Sequence, residues 1–203
     1  MTAVALKTPA DLTITPRDRR FGRNAKQDRW WLGGDPIATA FYNALSITFP
    51  RGEAFFIESV KAFRNGAPEK LEREIRAFVQ QEIMHTREHV AFNKRVADAG
   101  YDISGLEKKV IDSLEMTKNR PQILNLAVTM ALEHYTAIMA TQMITDKKLW
   151  KGADPEQVEL VDAQVRHGLV ERAPHVVGPM VRVAELARDV QLVAGQLARR
   201  DRV

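Results

Sequence analysis

The feature that most constrains this chain is a helical seam that is apolar at both ends and ionisable in the middle. Between Pro68 and Gly100 the inward positions, in alternating steps of four and three, are Leu71, Ile75, Phe78, Glu82, His85, His89, Phe92 and Val96. That spacing marks the buried face of a bundle helix about 30 residues long. The outer positions, among them Glu72, Arg73, Arg76, Arg87 and Lys94, carry charge, as a solvated face does. A carboxylate and two imidazoles on a core-facing stripe are costly unless paired, protonated or bound to a cation.

Other helical stretches supply similar groups. Asp35-Pro36 reads as a helix start, an acid cap followed by proline in the first turn. The segment it opens is expected to break or bend at Pro50 and Gly52. A second stretch from Arg51 to Arg64 has Phe56, Val60 and Phe63 on its inner face, and Glu53 shares that face. A short helix is expected from Ser104, read as its cap, to about Lys118. Pro121 opens an apolar helix whose stripe is Leu126, Met130, Glu133, Ala137, Ala140 and Ile144. This helix is expected to be the central, most buried one. Its Gln122, Asn125, Thr129, Thr136, Thr141 and Gln142 argue against a membrane span. Asp154-Pro155 opens a further helix through His167 and Glu171, and Pro174 ends or kinks it.

No strand signal and no repeat emerges. The expectation is an all-α, ferritin-like helical bundle over residues 35–203, with an irregular arm over 1–34 anchored by Trp30 and Trp31. The chain has 203 residues, enough for one sizeable core. Its net charge of +4 is mild, and the one dense basic stretch, Arg17 to Arg29, reads as a solvated arm rather than a nucleic-acid interface. There is no cysteine, so any metal is held by oxygen and imidazole. The N-terminus lacks the apolar run of a secretory signal, and the expected location is cytoplasmic.

The candidate ligands therefore lie on separate helices. Di-iron carboxylate bundles take one glutamate from each of two helices and a Glu-x-x-His pair from each of the other two. Here Glu53 and Glu133 match the single glutamates and Glu82-x-x-His85 matches one pair. The fourth contribution is expected from His167, Glu171 and His175, spaced in fours rather than threes. No lysine or arginine falls on the stripes that carry Glu53, Glu82 and Glu133. Glu88 and His134 flank the stripes.

The runs WWLGGDPIATAFYNALSITFPRGEAFFIESVKAF (30–63), FVQQEIMHTREHVAFN (78–93) and ALEHYTA (131–137) resemble the bacterial predicted metal-dependent hydrolase family, grouped with ferritin-like proteins. The resemblance implies a helical di-metal enzyme with Glu53, Glu82, His85, His89 and Glu133 at or near the metals. Hydrolysis then implies a water activated by two divalent ions, with Glu82 or Glu133 bridging them and His89 or His134 moving protons. Iron heads the candidate metals, followed by zinc and manganese. The substrate is expected to be a small molecule, and a homodimer fits the habit of such bundles. The alternatives are a di-iron oxidase or oxygenase, and a non-catalytic metal-binding bundle.

The C-terminal part departs from the family pattern. Where the family carries a Trp-His-x-x-Glu-Glu-x-Glu-His-Lys motif, this chain reads RHGLVERAPHVVGPM, with Arg172 and Pro174 at acidic positions. After Lys151 there is no lysine and no aromatic residue through Val203. The tail over 152–203 is thus atypical, as a frameshifted reading of an ancestral gene would be.

Overall fold

The computed structural model describes residues 26–153, together with 15, 16, 18, 20 and 158. Among the described residues all regular structure is helical: α1 (Pro36–Lys61), α2 (Glu69–Asp98), α3 (Ser104–Glu115), α4 (Gln122–Thr145) and a 3-10 turn, Lys147–Trp150. The fold is an all-α bundle, as the periodicity predicts. The helix expected from Asp154 lies outside the described residues.

Asp35 caps α1 as read from the sequence. Its carboxylate accepts the backbone N–H of Ile37 at 2.8 Å and of Ala38 at 3.0 Å, and Pro36 needs no donor there. Contrary to expectation, α1 does not break at Pro50 or Gly52; it is one helix of 26 residues with Pro50 inside it. A proline in a helix interior costs about 3 kcal/mol. Packing overrides that local preference, because α1 lies against α2, α3 and α4. Ser104 is not a cap either. Its hydroxyl bonds the Asp102 carboxylate at 2.6 Å, and α3 starts without a side-chain cap.

α2 carries 30 residues, about 45 Å at 1.5 Å per residue. Arg73 pairs with Glu69, Arg76 with Glu72 and Lys94 with Asp98, one turn apart along its wet side. Gly100, at φ 90°, ends it in the left-handed region that glycine adopts at little cost.

Two apolar clusters hold the bundle. At one end Phe56 and Val60 of α1, Leu71, Ile75 and Phe78 of α2, and Leu126 of α4 pack together. At the other, Trp31, Leu32, Phe92, Val96 and Met143 do so. α2 and α4 therefore both run antiparallel to α1. The Trp31 anchor is buried, donates its indole N–H to Asn43 Oδ1 at 3.0 Å, and meets Phe92 edge to face. Arg29, expected on a solvated arm, stacks its guanidinium over Trp30 and Tyr101 instead. Gly33 lets this segment reach the turn after α4, since a Cβ there would stand 2.8 Å from the Lys151 carbonyl.

α4 is not the most buried helix among the described residues. Leu126, Thr129, Glu133 and Met143 are buried, but Leu124, Val128, Leu132, Tyr135 and Ile138 are between 43% and 64% exposed. A helix that is apolar on every side gives no sequence signal of which face its neighbours cover. Its Gln122–Ala140 window, with mean hydropathy 1.3, is long and apolar enough to cross a membrane by length and composition alone.

Leu126 is fully buried where α4 meets the α1–α2 core. Leu126→Ala should lower the unfolding free energy by about 2–5 kcal/mol in a urea titration. A loss below about 1 kcal/mol would show that α4 does not depend on this contact.

Candidate metal centre

Between the two apolar clusters α2 has no apolar seam residue. Glu82, His85 and His89 fill the gap, and α1 faces them with Ser46, Phe49 and Glu53. The antiparallel packing sets this register, because Glu53 meets His85 and Thr86 while Ser46 meets His89 and Asn93.

Glu53 is 1% exposed. Its Oε2 accepts the Thr86 hydroxyl at 2.5 Å, which fixes the plane of the carboxylate. Its Oε1 stands 2.6 Å from His85 Nδ1, close enough for an ion pair. Burial pushes the Glu53 carboxyl above its ordinary value, and the nearby charge of Glu82 adds to the rise. His85 and the Thr86 hydroxyl pull the other way without cancelling it.

His85 Nε2 lies 3.2 Å from His89 Nε2. His89 is clamped, with the Phe49 ring lying flat on it at 4.3 Å and Ser46 Oγ 2.9 Å from its Nδ1. Burial holds the His89 imidazole well below its ordinary 6.5, and charge on His85 acts in the same direction. It therefore stays neutral, as a ligand histidine must. One donor atom from each of Glu53, His85 and His89 falls within a 4.8 Å group, and this is the only such trio among the described residues.

The remaining sequence candidates divide. Glu82 is buried at 1% exposure and its charge is felt at Glu53, but it stands outside the trio. Glu133 is buried as expected, one turn from Thr129, whose hydroxyl meets Ser59 of α1 at 2.7 Å. That bond ties the Glu133 face of α4 to α1 within about two turns of Glu53. His134, expected as a proton carrier, is exposed; the next residue on a helix sits about 100° round from its neighbour, and Glu133 takes the inward place. Glu88 is buried but accepts Arg87 Nε at 2.8 Å, away from the trio. His167, Glu171 and His175 lie outside the described residues.

Sequence reasoning passed over Thr86, Ser46, Phe49 and Asn93. A signal existed for Asn93, one turn past His89 on the inward side and buried. Thr86 and Ser46 gave none, because a lone hydroxyl on a helix is as common on the surface as inside.

These contacts define a helical bundle with a buried carboxylate–imidazole cluster suited to a cation. The chain matches the family described as predicted metal-dependent hydrolase over residues 15–163, and it belongs to that family. The match stops short of His167, Glu171 and His175. No curated protein and no solved structure matches the chain significantly.

Family membership implies a metal, and the residues present fit one. Glu53 is a buried carboxylate, and two imidazoles offer donor atoms beside it. Oxygen and imidazole donors with no thiolate suit iron, zinc or manganese.

Because His89 stays neutral when folded, acidification below pH 6.5 protonates it in the unfolded chain first and favours unfolding. The metal-free protein should lose stability there at up to about 1.4 kcal/mol per pH unit for this one proton. Subtracting the profile of a His89→Gln variant isolates the effect from Glu53, whose raised carboxyl acts in the opposite sense. Thermal melts from pH 7.5 to 5.5 that give parallel profiles for the two proteins would refute it.

Proposed function

We propose that the protein is a metal-dependent hydrolase whose first ion is held by Glu53, His85 and His89 inside a ferritin-like bundle. The observation that carries this reading is the buried Glu53 carboxylate, whose Oε1 lies 2.6 Å from His85 Nδ1 and forms with His85 and His89 a trio of closely spaced donor atoms. A buried carboxylate is costly, and a cation offsets the cost.

Glu82 and Glu133 are proposed to hold a second ion. What supports this is their burial and the effect of Glu82 on Glu53. A second carboxylate close enough to add to the raised proton affinity of Glu53 marks a place where positive charge is missing.

Divalent ions held there would supply Lewis-acid polarisation of a carbonyl or phosphoryl oxygen and activation of water. The protein's own residues do the remaining work. Thr86 keeps the Glu53 carboxylate in one orientation. Phe49 covers the face of His89 and meets the edge of His85, closing that side to solvent. His85 keeps 12% of its side chain exposed, so a small substrate approaches from its side. His89, buried and fixed at Nδ1, serves as a ligand rather than as a mobile proton carrier. A cytoplasmic setting and a small-molecule substrate belong to the same reading.

Elemental analysis of protein purified without added metal tests it. The expected result is close to two divalent ions per chain, falling to one or none in Glu82→Ala and to none in Glu53→Gln. Hydrolysis of generic esters should disappear with a chelator and return with the added cation. Iron accompanied by oxygen uptake and no ester turnover would replace hydrolysis by oxidative chemistry. Wild-type protein that takes up no divalent ion would overturn the metal site itself.

A further inference from the structure

Pro50 has no N–H, and in a continuous helix that N–H would bond the carbonyl four residues earlier. That carbonyl belongs to Ser46. It is taken instead by Asn93 of α2, whose Nδ2 donates to Ser46 O at 3.2 Å. A carbonyl oxygen can only accept, so this bond fixes which way the Asn93 amide faces. Asn93 Oδ1 is thereby turned to the Ser46 hydroxyl, which donates to it at 2.8 Å.

A hydroxyl has one hydrogen. With that hydrogen on Asn93, Ser46 Oγ can only accept from His89 Nδ1, 2.9 Å away. His89 is then the Nδ1–H tautomer, and its Nε2 carries the lone pair that faces His85 Nε2 at 3.2 Å. All three relay residues are buried, Asn93 at 5%, Ser46 at 6% and His89 at 6%, so water does not compete for these bonds.

We propose that Pro50, Ser46 and Asn93 are positioning residues that set the His89 tautomer, so that Nε2 is presented to a metal before any metal arrives. The proline inside α1 is the origin of the relay, since it releases the backbone acceptor that orients Asn93. The purpose of the device rests on the reading of Glu53, His85 and His89 as a metal site. Its operation does not, because the tautomer is set by protein bonds alone.

The experiment is a long-range proton–nitrogen spectrum of 15N-labelled, metal-free protein at pH 7.5. Wild type should show His89 as the Nδ1–H form. Asn93→Leu frees the Ser46 hydroxyl to donate to Nδ1, and His89 should shift toward the Nε2–H form. Pro50→Ala is the sharper variant. It returns an N–H to the Ser46 carbonyl, whose two lone pairs must then serve both donors, so the Asn93 bond weakens and the tautomer should become mixed although the helix gains stability. A merely structural proline predicts higher stability and no change in the histidine signal. Zinc(II) titrated into the same samples should bind about 10–100-fold more weakly to Asn93→Leu than to wild type.

An Nε2–H pattern in wild type, or an unchanged Nδ1–H pattern in both variants, would overturn the relay. Should Asn93→Leu not fold, Pro50→Ala decides alone. Wild type that keeps the Nδ1–H form but binds no zinc refutes the metal site and leaves the relay standing, so the two failures are separable.

Discussion

A carboxylate in a dry interior is the constraint on which the rest of this structure depends. Glu53 sits between two apolar clusters, 1% exposed, with one oxygen bonded to Thr86 and the other beside His85 Nδ1. An apolar residue there would let the two clusters merge into one continuous core. The chain instead interrupts its best-packed seam with Glu82, His85 and His89 opposite Glu53. A buried ion pair is weak evidence for stability, since desolvation offsets most of the attraction. Groups that weaken a core yet persist on its inward face are what a binding site requires. Burial raises the proton affinity of the Glu53 carboxyl against the pull of His85.

The second constraint is the continuity of α1. This helix contacts each of the other three α-helices, and it carries Ser46, Phe49, Glu53 and Ser59 in register along its length. A break at Pro50 would rotate Glu53 relative to Ser46 and separate the carboxylate from the His89 clamp. The helix instead absorbs the proline, and the carbonyl thus released is bonded from α2 by Asn93. Local propensity and tertiary packing conflict at this one position, and it is the position beside the site. That coincidence is expected where a local rule is broken for function rather than by accident.

How much was legible in the sequence follows from the same physics. The α2 seam was readable because steps of four and three leave little freedom about which residues face inward. Glu53 was readable because it shares a stripe with Phe56 and Val60. Glu133 was readable as buried, but the facing of α4 was not, since a helix without a polar side has no sequence-encoded outside. His134, read as flanking the stripe, is exposed because adjacency in the chain is not adjacency on a helix. The break assigned to Pro50 failed because proline's cost is local while the contacts that outweigh it come from α2, α3 and α4. Thr86, Ser46 and Asn93 were passed over because each acts through a partner 33 to 47 residues distant, and pattern along one helix cannot reveal which helix will face it.

The trio of donors does not draw on the segment after residue 163. In a symmetric four-helix scheme each helix is indispensable, and loss of the Glu-x-x-His on the fourth would empty the centre. Among the described residues the donors come from two helices. Glu53 comes from α1, His85 and His89 come from one face of α2, and the groups that orient them belong to the same two helices. Packing of α1 on α2 alone therefore brings three donors together, within the part of the chain that matches the family. The proposed second ion is where dependence on further helices enters, through Glu133 of α4 and whatever lies beyond it. Under the proposed reading, whatever follows residue 163 bears first on the second ion, while the donors of α1 and α2 lie within the matched part of the chain.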